Sequence, residues 1–352
     1  MNTNGHGSGE AGRLKAALIG LGMVSRTYGD AFRNSDVVSL ASVFARTEAS
    51  RLAFLDEWPE LGARDGGAVE EIAADPEIDF VIVTTPPNAR AEIVETIARS
   101  GKPILMEKPV ERTLEAATAL VELCEAQAVP LGIMLQHRAR PAVADLRGIT
   151  GRLGRLLAVE INVPWWRPQS YYDEPGRGSY ARDGGGVLIS QAIHTLDLAI
   201  AIAGPVREVT AMTATTGFHR MEAEDFVSAG LVFESGAVGQ IFASTASFPG
   251  RGESITFHHH DGSAHLEAGL VRIDLQDGGT ETIGTAATSG AGADPMAFTS
   301  DWHRFVIEDF AAAIRDGRPP LVPGRAALEV HRLIAALEAS ARSGCRTAMK
   351  DV

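Results

Sequence analysis

Short apolar runs alternate with helical stretches over the first third of the chain. The runs at 16–20, 38–44, 80–84, 104–107 and 131–135 have the length and composition of strands. Between them, 89–100 and 114–128 carry apolar residues at helical spacing. That alternation predicts a parallel sheet with crossover helices. The turn chemistry agrees, because Pro86-Pro87-Asn88 follows one strand end and Gly101-Lys102-Pro103 precedes the next strand.

Beyond about residue 140 the pattern changes. Segments 156–163, 208–215, 226–233, 238–244, 255–259 and 270–275 read as strands of a meander separated by glycine-containing turns. A helix over 186–203 interrupts them, and helices over 300–316 and 326–343 close the chain. A second domain on an open, mostly antiparallel sheet follows. Residues 280–294 are small and polar and are expected to form a loose loop. The predicted fold class is α/β: a Rossmann domain over 13–140, then an α+β domain over 141–352, after a disordered leader at 1–12.

Composition narrows the function. A chain of 352 residues, 45% hydrophobic and 22% charged, can bury two ordinary cores. Its formal net charge of -13 argues against nucleic acid, which needs a basic surface. Cys124 and Cys345 lack metal or redox spacing, which suits a reducing compartment. No apolar run approaches the ~20 residues that span a bilayer. With no signal-peptide core at the N-terminus, the expected location is the cytoplasm.

The segment from Ala16 to Asp30 has the order of a phosphate-binding turn: strand, glycine-rich turn, helix. Gly20 permits the tight turn, and Gly22 lets a pyrophosphate approach the backbone. Met23 and Val24 lead into a helix N-terminus, whose free N–H groups and dipole favour an anion. Ser25 holds the third glycine position and is small enough for close helix–sheet packing. The second strand ends Phe44-Ala45-Arg46-Thr47, without the carboxylate that would grip a ribose 2′-hydroxyl. Arg46 can pair with a 2′-phosphate instead, so NADP is the favoured cofactor and NAD the alternative.

Two further clusters carry chemistry. Lys108 stands at the C-terminal end of the strand over 104–107, where ligands of parallel sheets bind. It is one of four lysines against 28 arginines. Pro109 confines its backbone to extended conformations. Downstream, Asp183-Gly184-Gly185-Gly186 leads into the helix that bears Ser190, His194 and Asp197 on one face, with Gln191 a turn before the histidine. Asp197 is expected to orient the His194 ring. Trp166, Arg167 and Tyr172 supply aromatic stacking and guanidinium recognition; with Ser179, Asp183, Ser190 and Gln191 they complete the substrate-binding candidates. His258, His259 and His260 alternate between strand faces and cannot converge on one ion, so no metal is expected.

As a set, these motifs resemble the glucose–fructose oxidoreductase / inositol dehydrogenase / rhizopine-catabolism family of NAD(P)-dependent oxidoreductases. The resemblance spans about residues 13 to 349. It rests on Gly20-Leu21-Gly22, Thr85-Pro86-Pro87-Asn88, Glu107-Lys108-Pro109, Gln136-His137-Arg138, Asp183-Gly184-Gly185-Gly186 and His194-Thr195-Leu196-Asp197. Asp309-Phe310, Gly317-Arg318-Pro319 and the helix from Arg325 also fit. The resemblance implies that Thr85, Pro86, Asn88, Glu107, Lys108 and Gln136 join the glycine turn around the cofactor. It further implies that Lys108 and His194 act on a secondary hydroxyl of a sugar, sugar derivative or polyol, His194 taking the proton and Lys108 stabilising the oxygen. Homodimers or homotetramers through the C-terminal sheet are expected. The chain departs from the family pattern at Ser190, where Asp or Asn is common; at Arg90, where a histidine is common; and at the second strand end. The alternatives on this scaffold are an NAD-dependent glycosidase, a reductase of a non-sugar carbonyl or imine, and a non-catalytic NADP-sensing protein.

Overall fold

The computed structural model describes residues 12–287, 290–294, 296 and 298–352, so nearly all of the expected leader lies outside the described residues. Six strands form a parallel sheet: β1 (Leu14–Ile19), β2 (Val38–Phe44), β3 (Arg64–Asp65), β4 (Phe80–Val83), β5 (Ile104–Glu107) and β6 (Leu131–Met134). Their order is β3-β2-β1-β4-β5-β6. β4, β5 and β6 are buried at every position, as continuous apolar runs must be when helices cover both faces of a sheet. Thr47 and Thr113 start two of the covering helices, their hydroxyls accepting the N–H groups of Ser50 and Ala116. The strands are added outward to one side of β1 and then, from β4, to the other, and this switch in strand order opens a crevice at the C-terminal ends of β1 and β4.

Nine strands form the second sheet: β7 (Leu156–Pro164), β8 (Val206–Ala214), β9 (Phe226–Phe233), β10 (Val238–Ser244), β11 (Ser254–His259), β12 (Gly262–Glu267), β13 (Leu270–Leu275), β14 (Thr280–Gly284) and β15 (Thr347–Ala348). The order is β14-β13-β12-β11-β7-β10-β9-β8-β15, antiparallel except where β10 pairs β7. Val159, Ile161 and Val163 of β7 and Ile255 and Phe257 of β11 turn inward beneath the helix Ile193–Ala203. Three strands of this sheet escaped the sequence pattern, as did β3 of the first; β3 and β15 are two residues each, too short to carry a period. β12 hides its alternation behind His258–Asp261, and β14 occupies the start of the segment expected to be a loose loop. The half-buried Ile283 in a threonine-rich run is enough to pair β14 with β13.

The C-terminal helices return to the parallel sheet. Val306, Ile307 and Phe310 of Asp301–Asp316 pack with Leu18, Phe80 and Leu105. The helix Gly324–Ser343 crosses from the parallel sheet to β8. Its buried His331 reaches back to the loop behind Lys108, accepting a hydrogen bond from the Val110 amide at 3.1 Å.

Candidate active site

The C-terminal ends of β1, β2, β4, β5 and β6 form one wall of a cleft of about 830 Å³. At Gly20 φ is +106°, and a Cβ would stand 2.7 Å from the Thr85 nitrogen and 2.8 Å from Thr84 Oγ1. Only glycine fits there. Gly22 differs, because nothing lies within 4 Å of its Cβ position, so that space is open to a ligand. Ser25 Oγ donates to the Gly22 carbonyl at 2.7 Å and steadies the turn into the helix Ser25–Arg33. Met23, Val24, Pro86 and Asn88 also line this wall. Thr85 Oγ1 and Gln136 Oε1 are buried here without a hydrogen-bond partner. At the far end lie Arg46, Thr47 and Ser50, and exposed Arg46 makes no ion pair among the described residues. An open glycine cradle, unsatisfied polar atoms and a free cation fit a nicotinamide dinucleotide.

Lys108 stands in the middle of the cleft, and its neighbours fix it from below. Arg90, the departure from the family pattern, is 1% exposed and donates to the carbonyls of Thr85, Glu107 and Pro109. Burial lowers its pKa to about 10, so the guanidinium stays charged at neutral pH. Arg90 is therefore a buried staple joining two strand ends. Burial alone would raise the Glu107 carboxyl, but His303, Lys108 and Tyr28 hold it below the usual carboxylate range. Tyr28 Oη donates to Glu107 Oε1 at 2.9 Å, and His303 Nε2 lies 3.7 Å from the same oxygen.

The opposite wall starts at Gly186. A Cβ on Gly186 would sit 1.8 Å from the Glu224 carbonyl oxygen, so the chain can pass only as glycine. Glu224 caps the helix that follows, its carboxylate accepting the Gly186 and Leu188 amides at 3.0 Å and its carbonyl the Val187 amide at 2.8 Å. That helix does not begin as the expected α-helix. Leu188–Ala192 is one π turn, and α geometry starts at Ile193. A π turn widens the backbone locally and is a recurrent feature of functional sites. Here its Ser190 carbonyl accepts Lys108 Nζ at 2.7 Å, which ties the two walls together.

His194 follows the π turn, 6% exposed, with Nδ1 buried and unpartnered. The expected Asp197–His194 contact gives way to another pairing. The Asp197 carboxylate receives Arg138 Nε at 2.7 Å and Nη2 at 2.6 Å, a bidentate charge-assisted pair that a neutral imidazole cannot match. His137 stacks near His194 instead, their ring centroids 4.9 Å apart. Burial pushes both imidazoles well below the ordinary histidine pKa, and the Lys108 charge adds to the effect, so both are neutral at pH 7. Burial likewise lowers the Lys108 ammonium, against the pull of Glu107 and Asp183.

Ser190, Gln191 and Asp183 all line the cleft, and Gln191 Oε1 is unpartnered. Three substrate candidates stand elsewhere. Trp166 packs with Phe218 and Phe248, Tyr172 Oη bonds Thr245 Oγ1 at 2.7 Å, and Ser179 Oγ donates to Gly176 at 2.6 Å. Adjacent side chains face opposite ways on the extended backbone of Trp165-Trp166 and diverge by about 100° in the short helix Gln169–Tyr172, and Trp165 and Tyr171 take the cleft positions. Arg167 also lines the cleft, 2% exposed. His137, His303 and Trp302 escaped the sequence reading as site residues. His137 sits just past the end of β6, the one positional signal that could have found it. The three consecutive histidines take separate partners: His258 pairs with Glu160, His259 with the Gly154 carbonyl and His260 with Asp261.

A cradle for a dinucleotide at the switch point of a parallel sheet, faced by a buried lysine and a neutral histidine, defines a nicotinamide-dependent oxidoreductase. Residues 14–134 match the model of the oxidoreductase family with the NAD-binding Rossmann fold, and residues 149–265 match the GFO/IDH/MocA C-terminal domain. The chain belongs to the GFO/IDH/MocA family. It is 29% identical to a D-apiose dehydrogenase of Paraburkholderia graminis, over 97% of this chain and 91% of the relative. It is 28% identical to the scyllo-inositol 2-dehydrogenase (NAD(+)) of Bacillus subtilis, over 72% of each chain. Among solved structures it is similar to the WlbA dehydrogenase of Bordetella pertussis in complex with NADH and UDP-GlcNAcA. That match has a TM-score of 0.80 and 27% identity, covering 96% of this chain and 97% of the other. No helix among the described residues is long and apolar enough to cross a membrane.

Proposed function

We propose that the protein transfers hydride between NADP and a secondary hydroxyl or carbonyl of a sugar, sugar derivative or polyol, with Lys108 and His194 as its acid–base pair. The observation that carries this reading is the Lys108–Ser190 bond. An ammonium has three donors, and the Ser190 carbonyl fixes one of them. The other two remain to receive a substrate oxygen and stabilise the negative charge that develops on it. His194, neutral in its buried position, takes the hydroxyl proton. Gly20, Gly22, Thr85 and Gln136 hold the dinucleotide, and the nicotinamide, when bound, accepts or returns the hydride. Arg46 receives a 2′-phosphate, which favours NADP over NAD.

Relatives that act on apiose and inositol support a polyhydroxylated substrate. In this reading the chain divides near residue 140. The open face of the second sheet, where Met212 and Val238 stand exposed, joins copies into a homodimer or homotetramer. The test is growth of reduced-nicotinamide absorbance with NADP⁺ or NAD⁺ over a panel of sugars and polyols. His194→Asn is expected to lower kcat by about 10²–10⁴-fold while cofactor binding persists. Full turnover by that variant would sink the assignment, and a preference for NAD⁺ would remove the role given to Arg46.

A further inference from the structure

The substrate half of the cleft is cationic in a protein whose formal net charge is -13. Lys108, Arg167, Arg177 and Arg182 line it, against Glu174 and Asp183. The acidic groups are already engaged. Glu174 is shared by two guanidinium groups: its Oε2 receives Arg177 Nε at 2.9 Å and its Oε1 receives Arg182 Nη2 at 2.6 Å. Asp183 Oδ2 accepts the Gly178 amide at 2.8 Å, and Oδ1 stands 3.7 Å from Arg182.

Arg167 has no carboxylate partner among the described residues. Its Nη atoms donate to the carbonyls of Trp166, Gly290 and Gly292, while Nε is buried and unpartnered. A buried cation without a counter-ion is costly, and a bound anion relieves that cost.

The aromatic side chains of this wall are not free to stack on a neutral sugar ring. Trp166 is turned away, and the Arg177 guanidinium lies 4.4 Å from the centre of the Tyr171 ring, with Arg167 at 5.6 Å. Glu174 shows what this wall binds: a carboxylate held between Arg177 and Arg182.

We propose that the substrate is a polyhydroxylated acid whose carboxylate docks on Arg177 and Arg182, beside the field of Arg167, while its reacting hydroxyl meets Lys108 and His194. This rests on the oxidoreductase reading of the cleft and adds the charge of the substrate to it. A planar, singly charged carboxylate matches the guanidinium fork, and it reduces the excess that Lys108 and Arg167 leave once Arg177 and Arg182 are set against Glu174 and Asp183. Arg177 is near enough to Lys108 to depress its proton affinity, so a bound carboxylate also screens the catalytic ammonium.

The experiment uses the full chain with NADP⁺ or NAD⁺ and matched series: glucose, glucuronate, gluconate and glucose 6-phosphate, with their galacto and manno counterparts. Rates and calorimetric binding are both read. A carboxylate member is expected to exceed its neutral counterpart by about 10–100-fold in kcat/KM. Arg177→Gln and Arg182→Gln are expected to collapse that ratio. In the unaltered protein, the KM for the acid should rise as salt goes from about 0.02 to about 0.2 M, a readout that survives even if a variant folds poorly.

Equal or better use of the neutral series, or preference for the phosphates, overturns the proposal; so does a ratio that persists in both variants. If no member is turned over although cofactor binds, calorimetry decides. Salt-sensitive glucuronate binding lost in Arg177→Gln upholds the carboxylate site and places the failure with the hydride chemistry. Absence of such binding overturns the site itself.

Discussion

On one side of the cleft the working groups sit at the ends of parallel strands and are fixed by backbone bonds. On the other they hang from a single π turn and a loop stitched by arginines. The strand-end wall has its glycine turn at Gly20 and its lysine at Lys108, with the Arg90 staple beneath three carbonyls. The facing wall depends on one carboxylate, Glu224, at a helix start and on one carboxylate, Glu174, between two guanidinium groups. Under the proposed function the contrast separates tasks: a dinucleotide of constant shape would meet rigid strand ends, whereas substrate identity would be written in side chains that can change without disturbing a sheet.

The hardest test of that contrast is Gly186→Ala. Its new methyl group would collide with a backbone carbonyl that cannot swing aside, because the same residue caps the helix. A loss of roughly 3 kcal/mol or more is expected in denaturant unfolding, together with loss of turnover. If the variant unfolds like the parent protein, the facing wall is not pinned at this point and the comparison fails.

The same contrast explains what could be read from sequence alone. All the long strands of the parallel sheet were legible because they are continuous apolar runs, and the glycine turn and lysine follow from their position at strand ends. The π turn at Leu188–Ala192 left no periodic signal, since it costs one residue in an apolar helix whose buried faces are nearly continuous. The pairing of Asp197 with Arg138 was hidden for another reason, because Arg138 comes from just past the end of β6, 59 residues away in the chain. The choice of Trp165 over Trp166 and Tyr171 over Tyr172 rests on a side-chain direction that composition does not specify. Arg90 was visible only as a departure; its role required the three carbonyls it gathers from separate strand ends.

A smaller effect probes the strand-end wall. Burial, and then the Arg90 charge, lower the His331 pKa to about 4. The unfolded chain therefore binds a proton below pH ~6.5 that the folded protein refuses until about pH 4. The stability that His331 contributes is fully present above pH ~6.5 and drains away as pH falls through that window, by about 2 kcal/mol at pH 5. His331→Gln keeps an acceptor for the Val110 amide without titrating, so its stability between pH 7 and 5 should fall by about 2 kcal/mol less than that of the parent. Parallel curves for the two proteins in urea unfolding would mean that the loop behind Lys108 does not depend on this buried imidazole.

Gly22→Ala asks the finest question, because it separates folding from binding on the same wall. Gly20 needs glycine for the protein's own geometry, with φ at +106° and backbone in the way of any Cβ. Gly22 has no positive φ and open space where a Cβ would go. Alanine at 22 should therefore leave unfolding within about 1 kcal/mol of the parent, with a slight gain from reduced freedom of the unfolded chain. The methyl group would instead occupy the volume through which a pyrophosphate approaches the backbone. Cofactor affinity, read by quenching of tryptophan fluorescence, is expected to weaken about tenfold, a change of roughly 1.4 kcal/mol. Unchanged affinity would show that the open space at Gly22 is not where the phosphates lie, and the cradle would have to be sought beside Thr85 and Gln136. A stability loss without an affinity loss would mean that both glycines serve the fold, and the strand-end wall would then owe its constancy to packing rather than to the dinucleotide.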